Sequence, residues 1–383
     1  MARSLNCRSC SRSSWTGIDQ VKESARRRSA AFHAASGSGF RLVKPGAPVI
    51  ERNPAPSPAL YVHVPFCAQK CNYCAFYSHT VDPGVRERYV DGLLRELELL
   101  DLRQTPSTIF FGGGTPTLLS LEQWERILQA FHDRKLAPSS EWTVECNPAT
   151  LSPEKAKLLR AGGVNRVSMG VQSMEPELLE QLGRVHSREM VLRSFETLRE
   201  AGFDQINLDL MFAIPGQAME QWRSTLRQIL ALGSEHLSCY EVIYEEDTPL
   251  FARLQAGEFS VDEDLACAMY DELAEQVEAA GFFQYEVANF ARNQGDARNE
   301  IPSSACRHNV NYWRGGEYFG LGPSAAEFIG GTRRQNCSNT IRYCEALERG
   351  ERPTDWSETL GALGRAGEIA AFGLRMNAGW PLG

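Results

Sequence analysis

The stretch YVHVPFCAQKCNYCAFYSH, residues 61–79, decides how the chain is read. A short apolar run ends, and directly after it Cys67, Cys71 and Cys74 fall in a C-x3-C-x2-C pattern. Three thiols this close have three ordinary uses. A disulfide consumes two and strands the third. Structural zinc asks for four ligands in a closed tetrahedron, so a fourth would come from afar, with His63, Cys306 or His308 as candidates. A four-iron cluster accepts three thiolates and leaves one iron open, which turns the missing thiol into a requirement of the chemistry.

Working outward, apolar runs at 59–65, 108–114, 141–147, 166–172, 205–213 and 236–243 read as strands. Between them Tyr89, Leu93, Leu97 and Leu100 recur at helical spacing, as do Leu121, Trp124, Leu128 and Phe131. Strands alternating with helices predict an α/β fold, a parallel sheet with right-handed crossovers that is either doubly wound or a complete or partial barrel. Ligands in both architectures gather at the carboxyl ends of the strands. The polar and glycine residues fall there: the cysteine loop, Gly112, Gly113, Gly114 and Thr115, then Glu145, Gln172 and Asp209. Taken together they predict one site assembled from the whole sheet.

Composition sets the outer limits. With 383 residues and 43% apolar content the chain supplies an ample core, and no run is long enough to span a bilayer. Residues 1–50 hold nine Arg or Lys, nine Ser and two acids, which reads as an organellar transit peptide, mitochondrial or plastid. Residues 51–58 are a Pro-rich linker, 59–290 the core, and 291–383 an extension carrying HNVNYW with a shortened C-terminal region. Without the leader 31 of the 40 basic and 46 of the 48 acidic residues remain, a net charge of −15. Such a surface repels nucleic acid and anionic membranes. The cysteines outside leader and triplet are scattered, so they are read as reduced.

Here the motifs carry a resemblance. The cysteine loop after the first strand, with FFGGGTPTLL after the second, resembles radical S-adenosylmethionine (SAM) enzymes, and implies a partial (β/α)6 TIM-like barrel. The order VHVPFCAQKCNYCAFYS, GGGTPTLL, VECNP, NRVSMGVQS, LGRVHS, INLDLMFAIPGQ, YEVANFAR and HNVNYW is similar to the oxygen-independent coproporphyrinogen oxidase family. The resemblance implies a [4Fe-4S] cluster on Cys67, Cys71 and Cys74, with SAM chelating the open iron and being split by an electron from the cluster. It also implies SAM contacts from Tyr61, Tyr73, Gly112, Gly113, Gly114, Thr115, Glu145, Gln172, Arg184 and Asp209.

That family contains decarboxylating oxidases and HemW-type relatives that act as haem chaperones. The oxidases carry a further cysteine two residues after the triplet, whereas this chain has Phe76, which places it with the chaperones. The HNxxYW motif is implicated in haem binding in that branch, making His308 the candidate haem ligand and Cys306 its alternative. The expected cofactors are the cluster and SAM, with haem as cargo. The expected partners are a haem-receiving client protein and an electron donor for the cluster, with a homodimer as a possible assembly. The rival readings are SAM-dependent oxidative decarboxylation of coproporphyrinogen III and a zinc-stabilised interaction module.

Overall fold

The computed structural model describes residues 57–80, 83–101, 105–138, 140–293 and 301–379. The leader expected at 1–50 and all but the end of the linker expected at 51–58 lie outside them.

Six parallel strands lie side by side in chain order: β1 (Ala59–Val64), β2 (Thr108–Gly113), β3 (Glu141–Cys146), β4 (Arg166–Gln172), β5 (Ile206–Phe212) and β6 (His236–Glu241). The crossovers carry α1 (Pro83–Leu99), α2 (Leu121–Asp133), α3 (Pro153–Ala161), α4 (Pro176–Gln181), α5 (Arg188–Glu200) and α6 (Met219–Leu232). After β6 come α7 (Pro249–Gln255) and α8 (Glu263–Ala279). Local chemistry sets these bounds. Ser120 and Gln123 form a reciprocal capping box at the start of α2, and Ser152, Ser187 and Asp262 cap α3, α5 and α8.

The helical stripes bury against the outer face of the sheet. Phe111 of β2 and Trp142 of β3 pack with Trp124 and Phe131 of α2, ring centroids 5.1–6.2 Å apart, all fully buried. Each such side chain contributes about 1.5–3 kcal/mol by burial, so this cluster alone fixes α2 on the sheet.

The sheet continues past both ends of the parallel core. β7 (Phe282–Glu286) and β8 (Asn289–Arg292) form a hairpin whose β8 runs antiparallel to β6. On the other flank β9 (Tyr318–Leu321) runs parallel to β1, followed by antiparallel β10 (Ala326–Ile329), β11 (Thr332–Asn336) and β12 (Thr354–Thr359). The strand order β12-β11-β10-β9-β1-β2-β3-β4-β5-β6-β8-β7 has two separate edges, so the barrel is open. Three more helices complete the described chain: α9 (Arg307–Trp313), α10 (Thr340–Glu348) and α11 (Ala362–Gly373).

The added flank was not apparent from periodicity, since YFGLGPSAAEFIGG reads as a glycine-rich loop. β9 and β10 are only four residues each, and Gly322 turns between them at φ +93°. A Cβ there would stand 2.3 Å from the His63 carbonyl oxygen, so the turn can press against β1 only as glycine. Strand alternation then puts Tyr61, His63, Tyr318, Phe328 and Arg333 on one face, because Tyr61 pairs with Gly320, Phe328 with Tyr318, and Arg333 with Phe328.

Candidate functional site

The cysteine loop is a long turn pinned at both ends. The Cys67 amide donates to the His79 carbonyl at 3.1 Å, and the His79 amide to the Pro65 carbonyl at 2.8 Å. Midway, the Asn72 amide donates to the Leu182 carbonyl and its Nδ2 to the Gln181 carbonyl, tying the loop to the end of α4. These bonds hold the three thiols partly exposed and free of disulfides.

One side chain from just after β2 and one from the turn between α4 and α5 reach the sulfurs. The Thr115 hydroxyl donates to Cys67 Sγ at 3.8 Å, and Arg184 Nη1 donates to Cys71 Sγ at 3.5 Å. Burial pushes the Cys67 and Cys74 thiols up, while the Thr115 hydroxyl and the Arg184 charge favour the Cys67 thiolate. Among the described residues no three His, Cys, Asp or Glu converge on a single metal ion. A four-iron cluster asks for something else, one thiolate for each of three irons, and a short loop with three free sulfurs beside a cationic guanidinium fits that demand. The other described cysteines are accounted for elsewhere: Cys146, Cys239, Cys337 and Cys344 are buried in the core, Cys306 starts α9, and Cys267 is exposed. None of them adds a fourth thiol to the triplet.

The glycine run serves the fold as well as any ligand. A Cβ on Gly114 would lie 2.6 Å from the Phe66 carbonyl oxygen, where the Gly114 and Thr115 amides donate to the Val64 and Phe66 carbonyls. Gly113 sits at φ +103° with the His63 ring beneath it, and Gly112 lies against the Glu145 carboxyl. The Gly113 amide donates to Glu145 Oε2 at 3.1 Å.

Two half-buried carboxyls, Glu145 and Asp209, face the interior. Burial, then the nearby Asp209, pushes Glu145 up to about 8. Burial also raises Asp209, held back by hydrogen bonds from Asn207 Nδ2 at 2.7 Å and from the Ser168 hydroxyl at 3.3 Å. Arg184 is the compensating cation, its Nη2 donating to the Gly170 carbonyl at 2.6 Å. Gln172 occupies the left-handed region at φ +67°, beside a register shift in β4, and its Oε1 accepts from the Tyr240 hydroxyl at 3.0 Å. Tyr73 lies nearby in a small apolar cluster with Tyr240 and Leu250.

The structure thus brings together Cys67 with Thr115, Cys71 with Arg184, and Gly112 and Gly113 with Glu145 and, through charge, Asp209. Tyr61 lies deeper, its hydroxyl 3.0 Å from His63 Nδ1. His308 stands apart from this group, at the amino ends of the strands. It packs on Phe110 at 5.1 Å, and Glu141, the first residue of β3, accepts from the Arg307 and His308 amides. Both His308 ring nitrogens are taken, Nδ1 by the Thr108 hydroxyl at 2.8 Å and Nε2 by the Tyr312 hydroxyl at 2.9 Å. Burial lowers its pKa to about 3, so the ring is neutral. An imidazole with both nitrogens engaged offers no lone pair to iron in this arrangement. Sequence reading also overlooked the place of His63, under Gly113, and of Tyr240 on Gln172; their strands were legible, but the contacts they make are not local.

The chain resembles known proteins in sequence and in fold. Residues 61–229 match the radical SAM superfamily. The chain is 37% identical over 327 residues to "Heme chaperone HemW" of Bacillus subtilis, covering 83% of each chain. It is 34% identical over 334 residues to "Radical S-adenosyl methionine domain-containing protein 1, mitochondrial" of Danio rerio, covering 84% of this chain and 73% of that one. Among solved structures, coproporphyrinogen III oxidase (HemN) of Escherichia coli superposes with a TM-score of 0.69 at 24% identity, over 81% of this chain and 73% of that one, a likeness of fold.

Proposed function

Because the chain belongs to the radical SAM superfamily and, within it, to the family of HemW heme chaperones and their mitochondrial relatives, we propose that it binds haem and passes it to a client protein in the mitochondrion. The observation that carries this reading is Phe76, 70% exposed beside the cysteine loop where the decarboxylating branch has a further cysteine. Two findings support the address: relatives described as mitochondrial in zebrafish and mouse, and the Arg- and Ser-rich stretch at 1–50.

Cys67, Cys71 and Cys74 would hold a [4Fe-4S] cluster, which supplies one-electron reduction at an iron open to SAM. Arg184 holds positive charge beside Cys71 and offers a guanidinium to a carboxylate. Asp209 and Glu145 are acceptors for an ammonium or for ribose hydroxyls, Gln172 and Thr115 are polar contacts at neighbouring strand ends, and Tyr61 and Tyr73 offer flat apolar surface. An electron donor serves the cluster.

The test is an absorption titration of anaerobically reconstituted protein with ferric haem, followed by transfer to an apo-acceptor, with a parallel incubation with SAM, reductant and coproporphyrinogen III. Saturable haem binding without porphyrin product supports the carrier. Conversion to protoporphyrinogen IX, with no haem binding, assigns the enzyme instead.

A further inference from the structure

Below the cysteine loop lies a cavity of about 560 Å³, within the roughly 300–1,000 Å³ of small-molecule sites. Its walls join β1 to the strands and helices that follow residue 306. One wall is the inner face of the sheet, with Tyr61, Tyr318 and Phe328; the other is Trp313 of α9 against Phe372 of α11, ring centroids 6.2 Å apart. Phe76 lines the mouth.

The lining is predominantly aromatic and carries cations at one end. Arg333 and Arg365 both reach into it, and Arg365 stacks on Phe328 with its guanidinium carbon 4.1 Å from the ring centroid. The two guanidinia share one counter-ion, Glu368, which pairs with Arg333 and lies 3.0 Å from Arg365 Nη1. Arg365 Nη2 also donates to the Gly315 carbonyl at 2.6 Å. Two cations against one carboxylate leave a net positive charge. Each guanidinium carries five N–H donors, more than these acceptors use.

A slot with aromatic walls and two cations at one end matches a flat conjugated ring system bearing carboxylates. We infer that this cavity is where the chain holds its haem, with Arg333 and Arg365 binding the propionates in place of Glu368. The inference rests on the carrier reading above and names the site for it. His308 does not line the cavity; through its 2.9 Å bond to the Tyr312 hydroxyl it is a positioning residue for a side chain that does. His63 is a wall shared with the strand-end site, since it lines the cavity and lies directly under Gly113.

The test compares haem with haem dimethyl ester, on wild-type protein and on the double variant Arg333→Gln/Arg365→Gln, by difference absorption and with iron and circular dichroism as folding controls. Wild type is expected to bind the ester about tenfold more weakly than haem, and the double variant to bind both with that lower affinity. Glu368→Gln, which removes the competing carboxylate, is expected to bind haem more tightly than wild type. His308→Ala is expected to keep the Soret position of the ferric complex. Equal affinity of wild type for haem and its ester overturns the clamp, and a shifted Soret band in His308→Ala returns that histidine to the iron. If wild type binds neither haem nor ester, the carrier reading itself fails, a result distinct from a misplaced site.

Discussion

Arg184 Nη1 lies 3.5 Å from Cys71 Sγ while Nη2 donates to the Gly170 carbonyl at 2.6 Å, so one guanidinium joins the cysteine loop to β4. That link explains how residues far apart in the chain act as one site. It also fixes what replacing the arginine does. Arg184→Gln is expected to retain its iron but to bind SAM more weakly, by about 1.5–3 kcal/mol for the lost charged hydrogen bond. Equilibrium dialysis with SAM checks this; unchanged affinity would show that the arginine serves the loop alone.

The cysteines separate by role. Serine at Cys67, Cys71 or Cys74 is expected to abolish iron and labile sulfide after anaerobic reconstitution. Serine at buried Cys146 or Cys239 is expected to keep the iron and lower stability by about 1–3 kcal/mol, the cost of a buried hydroxyl. Iron and sulfide analysis with thermal melts reads both. Retained iron in Cys71→Ser would remove the cluster assignment.

Gly114 is the point of the glycine run that presses on the backbone of β1 and the cysteine loop. Alanine there would set its methyl 2.6 Å from the Phe66 carbonyl oxygen, a Cβ-to-backbone contact that no rotamer relieves. Overpacking of this kind costs about 1–3 kcal/mol and displaces the cysteine loop. Denaturant unfolding of Gly114→Ala is expected to show the loss, together with reduced iron loading. Wild-type stability and loading would contradict it.

Glu145 makes the apo-protein pH-sensitive. Its folded pKa is raised from 4.5 to about 8, so the native state binds a proton that the unfolded chain has released. Its contribution is therefore full below about 4.5 and is lost as pH rises through about 8. Glu145→Gln is expected to melt higher than wild type near the upper end of that window and to flatten the decline, part of which persists through Asp209. Differential scanning fluorimetry across the range checks this, and an equally steep decline in the variant would refute it.

His308 runs the other way. Its pKa falls from 6.5 to about 3, so its stabilising contribution is present above 6.5 and is lost as pH falls toward 3. His308→Ala also leaves the Thr108 and Tyr312 hydroxyls without their partner, at a cost of about 2 kcal/mol or more. Urea melts at neutral pH measure that loss; a variant as stable as wild type would deny the histidine its structural place.

Much of this was legible in the sequence, for physical reasons. The six core strands announce themselves because each is an apolar run closed by a glycine or polar strand end, and the helices because Trp124, Leu128 and Phe131 recur at helical spacing. The cysteine loop was legible through its spacing. What could not be read was geometry made by distant pairs. That His63 lies under Gly113, that Glu141 holds the start of the HNVNYW helix, and that β9 joins β1 all depend on register between strands far apart in sequence. His308 shows the consequence. As text it is a histidine beside aromatics, suited to haem; in the fold it is a neutral, doubly hydrogen-bonded ring at the amino ends of the strands.

The most direct check is a single titration: ferric haem added to anaerobically reconstituted wild-type protein, followed by absorption, with coproporphyrinogen III, SAM and reductant in a matched reaction. We expect one saturable haem site per chain and no protoporphyrinogen. Protein that ignores haem yet consumes coproporphyrinogen would contradict the carrier and make this chain an oxidase.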